Sequence, residues 1–363
     1  MSYLSLIMMI PLFAIFIFIP YWTRKTESFG HTVPERAYES KQLQNMRKKY
    51  ALEMVAWSFA FILGYLTCFA LFTNNENTFG IMFTIMIFLY IIIGFFVYLK
   101  YHRQIKVLKL EKGWHQDVEN KVLVDTTFRN QAYSFSVLWY LIPLGIILFT
   151  TLITFMNYEQ IPKQIPTNYD LQGNVTNSTE KTGKSVLFTP IIQMFLLFVF
   201  VFVHFVIHKS KQQVSTKNPE ASLKQNIVFR KTWSWFNYVM GTVLIILFSG
   251  MQMMLMFDMF QSFMFPALMI FVALVLIAVI VLSIKVGQGG SRVKIQEDIE
   301  GDVIERDDDE HWKFGIFYFN PQDPALFVEK RFGIGWTNNF ARPLSWILLG
   351  LIILIPLSLV FFI

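Results

Sequence analysis

The chain has 363 residues, of which 54% are apolar and only 15% carry a charge. Soluble domains usually carry about 25% charged residues. The net charge of +6 does not indicate nucleic-acid binding, because Lys and Arg flank apolar stretches and do not gather on one soluble face. The composition therefore excludes an ordinary soluble domain and favours a protein embedded in a membrane.

Apolar stretches of about 20 residues, each long enough to cross a bilayer core, run through the whole chain. They predict an all-α transmembrane bundle of eight helices, with a small β-containing element before the last helix. The first stretch has no basic region or cleavage site before it, so we expect a retained helix and not a signal peptide. The predicted spans are 4–22, 54–72, 79–99, 137–155, 186–207, 236–257, 263–284 and 344–362.

Positive charge alternates between the predicted loops. Residues 23–53, 100–136, 208–235 and 285–343 contain 7, 7, 6 and 8 Lys or Arg, whereas residues 73–78, 156–185 and 258–262 contain 0, 3 and 0. Cytoplasmic loops collect Lys and Arg. The pattern predicts a plasma-membrane protein with both termini outside the cytoplasm, and the abundance of Phe, Ile and Asn favours a bacterial source.

This threading predicts three regions. Residues 1–284 form a seven-helix membrane domain with an outer loop at 156–185. Residues 285–343 form a cytoplasmic acidic linker and a small aromatic tail domain. Residues 344–363 form the eighth membrane helix.

Local patterns describe the first cytoplasmic segments. Thr32 and Glu35 have the spacing of a capping box before a basic helix at 35–50. We expect this helix to lie on the inner leaflet, with partner docking as the alternative. The third helix should continue to Glu111 and stop at Gly113, and residues 121–128 should form a strand.

The last cytoplasmic segment has three parts. For residues 287–292 we favour a flexible turn, with a phosphate-binding site as the alternative. For the acidic run Glu297–Glu310 we favour a solvated linker, with a divalent-ion site as the alternative. From 312 to 343 the sequence becomes aromatic and turn-rich, and predicts two or three short strands that lean on the helices. The candidate tail residues are Trp312, Tyr318, Asn320, Glu329, Lys330, Arg331 and Trp336.

The spans contain almost no ionisable side chain, which argues against an ion-coupled transporter. His204 and His208 have a spacing that can bind a metal ion, but no third ligand follows in sequence, so we favour an interfacial position for them. The sequence shows no nucleophile elbow, no paired catalytic carboxylates in a span and no Cys/His arrangement. We therefore expect no enzyme activity, no cofactor and no metal.

The predicted outer loop is the largest external surface, and it is longer than a simple linker needs. Its candidate recognition residues are Pro166, Thr167, Asn168, Tyr169 and Gly173. Ligand or toxin recognition and a structural lid over the bundle are the two interpretations.

Three motifs carry a resemblance. They are Phe29–Pro34 before the basic helix, Ile165–Tyr169 with Gly173 in the outer loop, and the tail from Trp312 to Pro343. Together they resemble a family of bacterial multi-pass proteins of unknown function. The outer-loop motif is similar to a domain of SdpI-type immunity proteins, which protect Bacillus-like cells from a secreted toxin. Asn168 stands where that family usually has His, which removes the side chain that could have carried a proton- or metal-linked role in this motif.

The resemblance implies a non-enzymatic membrane protein in toxin immunity or envelope sensing through the outer loop. A passive channel or transporter for a small or apolar substrate is the alternative. The expected partners are the lipid bilayer, an extracellular peptide or toxin and another membrane protein, and no nucleic acid.

Overall fold

The computed structural model describes residues 2–72, 76–114, 135–169, 175–214, 218–257, 261–295 and 307–360. The predicted strand at 121–128, Gly173 and the first part of the acidic run, residues 297–306, lie outside these residues.

The described residues are mostly helical and contain nine α-helices. These are α1 (Ser2–Trp22), α2 (Glu35–Tyr38), α3 (Lys41–Phe72), α4 (Glu76–Glu111), α5 (Leu141–Met156), α6 (Gly183–Lys209), α7 (Pro219–Met253), α8 (Gln261–Val286) and α9 (Pro343–Val360). As predicted, α4 ends at Glu111, and Gly113 follows with a φ of 68°.

Six helical segments are long and apolar enough to cross a membrane: Lys41–Phe72, Thr78–Glu111, Val137–Met156, Gly183–Lys209, Pro219–Met253 and Pro266–Gly290. Many of their large apolar side chains point outward, among them Phe59, Phe88 and Ile270. Contiguous apolar surface of this kind needs hydrocarbon around it. The chain is therefore a multi-pass membrane protein.

The other two predicted spans are also helices, α1 and α9. Their described apolar parts, Met9–Trp22 and Pro343–Ser358, are shorter than the other six. The count of eight spans thus stays a prediction.

All strands of the described residues form two-stranded antiparallel hairpins. The pairs are β1 (Glu27–Ser28) with β2 (His31–Thr32), β3 (Gln164–Tyr169) with β4 (Val175–Glu180), β5 (Trp312–Lys313) with β6 (Phe317–Tyr318), and β7 (Phe327–Glu329) with β8 (Trp336–Asn338). The last two hairpins confirm the β-containing element before the last helix.

Two local predictions about the first inter-helix segment are wrong. The basic residues 41–50 do not form a separate helix along the leaflet, because α3 runs unbroken from Lys41 into the apolar span. The expected capping box is absent too, since the N-cap of α2 is Pro34, without a side-chain hydrogen bond. The Thr32 hydroxyl instead donates to Asp309 at 3.1 Å.

The chain forms two compact units. Unit 1 comprises Met1–Arg129, Lys211–Phe229 and Val279–Ala341, and unit 2 comprises Asn130–Ser210, Arg230–Ala278 and Arg342–Ile363.

Unit 1 is organised around an aromatic core between α1, α3 and α4. The Phe29 ring stacks on Tyr101 at 5.3 Å and on Phe332 at 5.8 Å, and the Tyr98 ring lies 4.5 Å from Phe332. Phe332 comes from the segment before the last helix. That segment therefore shares a core with the first helices.

In unit 2, a row of polar side chains joins α6 to α7. Nε2 of Gln252 donates to the Val186 carbonyl at 3.2 Å, Nε2 of Gln193 to the Ile245 carbonyl at 3.0 Å, and Nδ2 of Asn237 to the Phe200 carbonyl at 2.9 Å. Partners recur every seven or eight residues, or about two helical turns, in opposite directions on the two helices. Such bonds hold membrane helices together where apolar burial provides no drive for association.

Arg230 ends this row at the C-terminus of α6. Its guanidinium is 1% exposed and donates to the carbonyls of Ile207 at 2.6 Å and Ser210 at 3.0 Å. The last carbonyls of a helix lack helical partners and carry partial negative charge, so a cation stabilises them.

We predict that Gly30→Ala destabilises unit 1 by at least about 2 kcal/mol. Gly30 has a φ of 82°, and an added Cβ would lie 2.6 Å from the Cα of Gly315. Thermal unfolding in detergent measures the effect. Gly80→Ala is the control, because no atom lies within 4 Å of its added Cβ and Ala favours the helix. Equal melting temperatures for the two variants would contradict the close approach.

Candidate functional site

A cluster of buried charges holds unit 1 together. It comprises Arg24, Glu27, His31, Lys109, Asp307, Asp308, Asp309, Glu329 and Arg331, and is called the charge cluster below. Its members come from the segment after α1, from the end of α4 and from the segment before α9. The cluster thus joins three stretches that are far apart in sequence.

Asp309 lies at the centre of the charge cluster. One carboxylate oxygen is 2.8 Å from Nδ1 of His31 and 2.8 Å from Nζ of Lys109, and the other accepts the N–H and hydroxyl of Thr32 at 3.1 Å and a bond from Arg331. Burial alone would raise its pKa. The His31 hydrogen bond and the charges of Arg331 and Lys109 nevertheless hold the pKa of Asp309 well below its usual range.

Arg331 provides the central cation. Its side chain is 2% exposed and pairs with Asp308 and Asp309, and it also donates to the Gly30 carbonyl at 3.3 Å. Burial opposes its charge, but the two aspartates raise the pKa of Arg331. The guanidinium therefore fastens β1–β2 and residues 307–309 to the β7–β8 hairpin.

The acidic run was predicted to be a solvated linker, and for Asp307, Asp308 and Asp309 this is wrong. Lys109 pairs with Asp307 at 2.6 Å, and Arg331 pairs with Asp308 and Asp309. Cations from distant segments balance the charges of these carboxylates. The carboxylates therefore hold this part of the chain against those segments.

Arg24 and Glu27 complete the charge cluster. Arg24 forms an ion pair with the fully buried Glu329 and also donates to Gln213. Glu27 is 5% exposed, and burial raises its pKa to about 7 despite the nearby Arg24 and Arg331.

A second polar group orders the turn between β6 and β7. The Tyr318 hydroxyl donates to Asp323 at 2.8 Å, and Lys211 pairs with the same carboxylate at 2.6 Å. The side-chain amide of the fully buried Asn339 donates to the carbonyls of Asn320 at 2.9 Å and Asp323 at 3.1 Å. The turn is therefore bound to the segment after α6.

A small cavity of about 10 Å³ lies beside the charge cluster, with room for about one water molecule. Lys211, Asp308, Trp312 and Glu329 are among its lining residues.

Residues 287–292 were predicted to form a flexible turn, which is wrong. Gln288 is completely buried, and its Nε2 donates to the carbonyls of Lys330 at 3.1 Å and Gly335 at 2.9 Å. The Gly335 N–H returns a bond to Oε1 of Gln288 at 2.7 Å. This turn is a structural clamp on β7–β8.

The structure brings most of the predicted tail residues together. Glu329 and Arg331 belong to the charge cluster, Tyr318 and Asn320 to the turn, and Trp312 to the cavity wall. The Trp336 ring packs 5.1 Å from Phe229, whereas the Lys330 side chain is exposed. Seven partners of these residues were not predicted: Arg24, Glu27, His31, Lys109, Lys211, Gln288 and Asn339.

The predicted outer loop contains a second candidate site, the β3–β4 hairpin, called the long hairpin below. Its base packs in an apolar cluster of Ile161, Ile165 and Val186, with Leu255 and Met256 beside it. Nζ of Lys181 donates to the carbonyls of Tyr158 at 3.3 Å and Ile161 at 3.0 Å. The strands are thus fixed at their base.

The candidate outer-loop residues lie on the first strand of this hairpin. Pro166 pairs with Ser178 and is half-buried, and Thr167 sits in a register shift. Asn168 and Tyr169 pair with Asn177 and Val175 through the backbone. On the opposite strand, Asn177 and Ser178 are exposed.

The side chain of His204 is buried within unit 2, and the interfacial position expected for it stays a prediction. Its ring lies 4.8 Å from Phe135 and 5.5 Å from Tyr140, and Nδ1 is 3.5 Å from the Ser234 hydroxyl. His208 is exposed. Within the described part of the chain, no three His, Cys, Asp or Glu side chains are placed to hold a metal ion.

Two segments of the chain match family models. Residues 145–194 match a domain of unknown function (DUF1648), and residues 321–346 match a family of unknown function (DUF5808). No curated protein and no solved structure matches the chain. The first match runs from α5 through the long hairpin into α6, and the second covers β7, β8 and the start of α9. Neither description names an activity, so the link to SdpI-type immunity proteins stays a prediction.

We predict that Arg331→Gln destabilises the protein by about 3–5 kcal/mol, because it removes a buried cation from two partly buried carboxylates, Asp308 and Asp309. The control Lys100→Gln breaks the ion pair with Glu53, in which Lys100 is 52% exposed, and should cost less than about 1 kcal/mol. Thermal unfolding of both variants in detergent tests the difference. A loss for Arg331→Gln no larger than that of the control would show that the charge cluster contributes little.

Proposed function

We propose that this protein is a non-enzymatic plasma-membrane protein that recognises an extracytoplasmic peptide or toxin through the long hairpin, in toxin immunity or envelope sensing. The observation that carries the proposal is the form of the hairpin. Its base is fixed in an apolar cluster while polar side chains of its strands are exposed. Fixing a surface before binding lowers the ordering cost of recognition.

The family match supports this choice of surface. Residues 145–194 include both strands of the long hairpin together with the adjoining parts of α5 and α6. The matched segment therefore contains the long hairpin together with most of the apolar residues that pack at its base.

In this proposal the long hairpin lies outside the cell, and the four Lys- and Arg-rich segments lie in the cytoplasm. Contacts inside unit 1 support a common side for these four segments. Arg24 bonds to Gln213 and Glu329, Lys109 to Asp307, and Lys211 to Asp323.

Labelling of single cysteines tests the orientation. In a Cys68→Ala background, Asn177→Cys should react with a membrane-impermeant maleimide in intact cells, because the long hairpin faces outward. Lys313→Cys, in β5, should react only after the cells are permeabilised. Both positions are exposed, so the two thiols are matched in accessibility. Reaction of Lys313→Cys in intact cells would reverse the topology.

We expect the double variant Lys163→Glu/Asn177→Glu to reduce survival at least tenfold when cells are challenged with the secreted toxin of an SdpI-type system. Both positions are exposed on or beside the long hairpin, so the variant changes its surface and not its apolar base. Lys184→Glu, exposed at the start of α6, is the control. Immunoblots of membranes establish equal abundance. Unchanged survival of the double variant would refute recognition through this surface.

A passive channel or transporter for a small or apolar substrate is the alternative. The polar row between α6 and α7 is the observation that bears on it, but its amide groups donate to backbone carbonyls of the facing helix. Those bonds favour a packing role. Solute flux above that of empty vesicles, from purified protein in liposomes, would support the alternative.

A further inference from the structure

Glu27 differs from the other carboxylates of the charge cluster. It is 5% exposed and faces two cations, Arg24 and Arg331, and two further carboxylates, Asp308 and Glu329. Within the described residues, its Oε2 has no hydrogen-bond partner. A buried carboxylate in such a position is costly unless it is paired or neutral.

The nearby cations are already engaged by other carboxylates. Arg24 pairs with Glu329, Arg331 with Asp308 and Asp309, and Lys109 with Asp307 and Asp309. An ionised Glu27 gives the charge cluster five carboxylates against three Lys or Arg side chains, with His31 as the remaining titratable group. A neutral Glu27 reduces this excess by one charge.

We propose that Glu27 is a proton-binding latch, whose neutral form holds residues 307–341 on the segment after α1 and whose ionised form loosens them. The proton comes from water and binds a carboxylate oxygen of Glu27, and it returns to water when the latch weakens. Glu27 acts on the attachment through its charge, because Arg331 and Glu329 lie on the attached segment while Arg24 and Glu27 lie on the other side of the junction.

The direction of the effect follows from the pKa. Burial raises the pKa of Glu27 from 4.5 to about 7 in the attached state. A carboxyl group that binds its proton more tightly in the attached state favours attachment at low pH. This contribution is complete below the lower pKa, falls as the pH rises from 4.5, and is lost above about 7.

Hydrogen–deuterium exchange of the full-length protein in lipid nanodiscs measures the latch. The reporters are the Thr32 amide, which donates across the junction to Asp309, and the Phe319, Asn339 and Phe340 amides, which bond within the attached segment. After correction for intrinsic exchange rates, their protection should fall about tenfold between pH 6 and pH 8.5. The amide of Lys181 in unit 2, bonded to the Lys163 carbonyl, is the internal control and should keep its protection.

Two variants separate Glu27 from the rest of the charge cluster. Glu27→Gln keeps the shape of the neutral carboxyl and should make the protection independent of pH. Lys109→Gln removes a cation that pairs with Asp307 and Asp309 and is not among the charges acting on Glu27, so it should lower the protection at both pH values and retain the tenfold dependence. Equal protection of the unmodified protein at the two pH values would overturn the latch, and so would an undiminished dependence in Glu27→Gln. Because the reporter amides lie in unit 1 and not on the long hairpin, their result is independent of the proposed recognition.

Discussion

The need to pair charges that are withdrawn from water determines how unit 1 is assembled. Arg331 is 2% exposed, and its two aspartate partners precede it by more than twenty residues. Asp309 in turn binds His31 and Lys109, which belong to the segment after α1 and to the end of α4. A buried charge without a partner costs several kcal/mol, so these segments are stable only when they come together. The aromatic contacts of Phe332 then fill the space beside the ion pairs. The apolar core and the charge cluster therefore depend on each other.

In unit 2, the buried polar side chains that join the helices are mainly neutral amides. Gln193, Asn237 and Gln252 donate to backbone carbonyls across the α6–α7 interface, and buried ion pairs are not needed there. Neutral amides cost less than charges in hydrocarbon, because an amide needs only hydrogen bonds to replace those it made with water. Arg230 is the buried cation of this interface, and it lies where the last carbonyls of α6 provide negative partial charge. The two units thus use different chemistry to bury polar atoms.

The sequence was sufficient to predict features that depend on local composition. Six membrane-crossing helices and the short strands before α9 follow from apolar length and alternating patterns. It was not sufficient for pairs such as His31 with Asp309, which are 278 residues apart. The same separation explains the errors at Thr32 and in the acidic run, where a local partner or water was expected and a distant residue binds instead. Residues 41–50 were misassigned for another reason. A basic amphipathic pattern is the same whether a helix lies on the membrane or extends a spanning helix into unit 1.

The two matched segments depend on the rest of the chain to different extents. The segment at 145–194 contains most of its own anchor, since Ile161, Ile165 and Val186 all lie within it. The segment at 321–346 contains Glu329 and Arg331, but Arg24, Asp308 and Asp309, which pair with them, lie outside it. Separated from those partners, it would carry two unpaired groups that are buried in the complete protein. In this chain the tail segment is therefore not an independent module, and whatever acts on the charge cluster also acts on the attachment of the tail to the membrane helices.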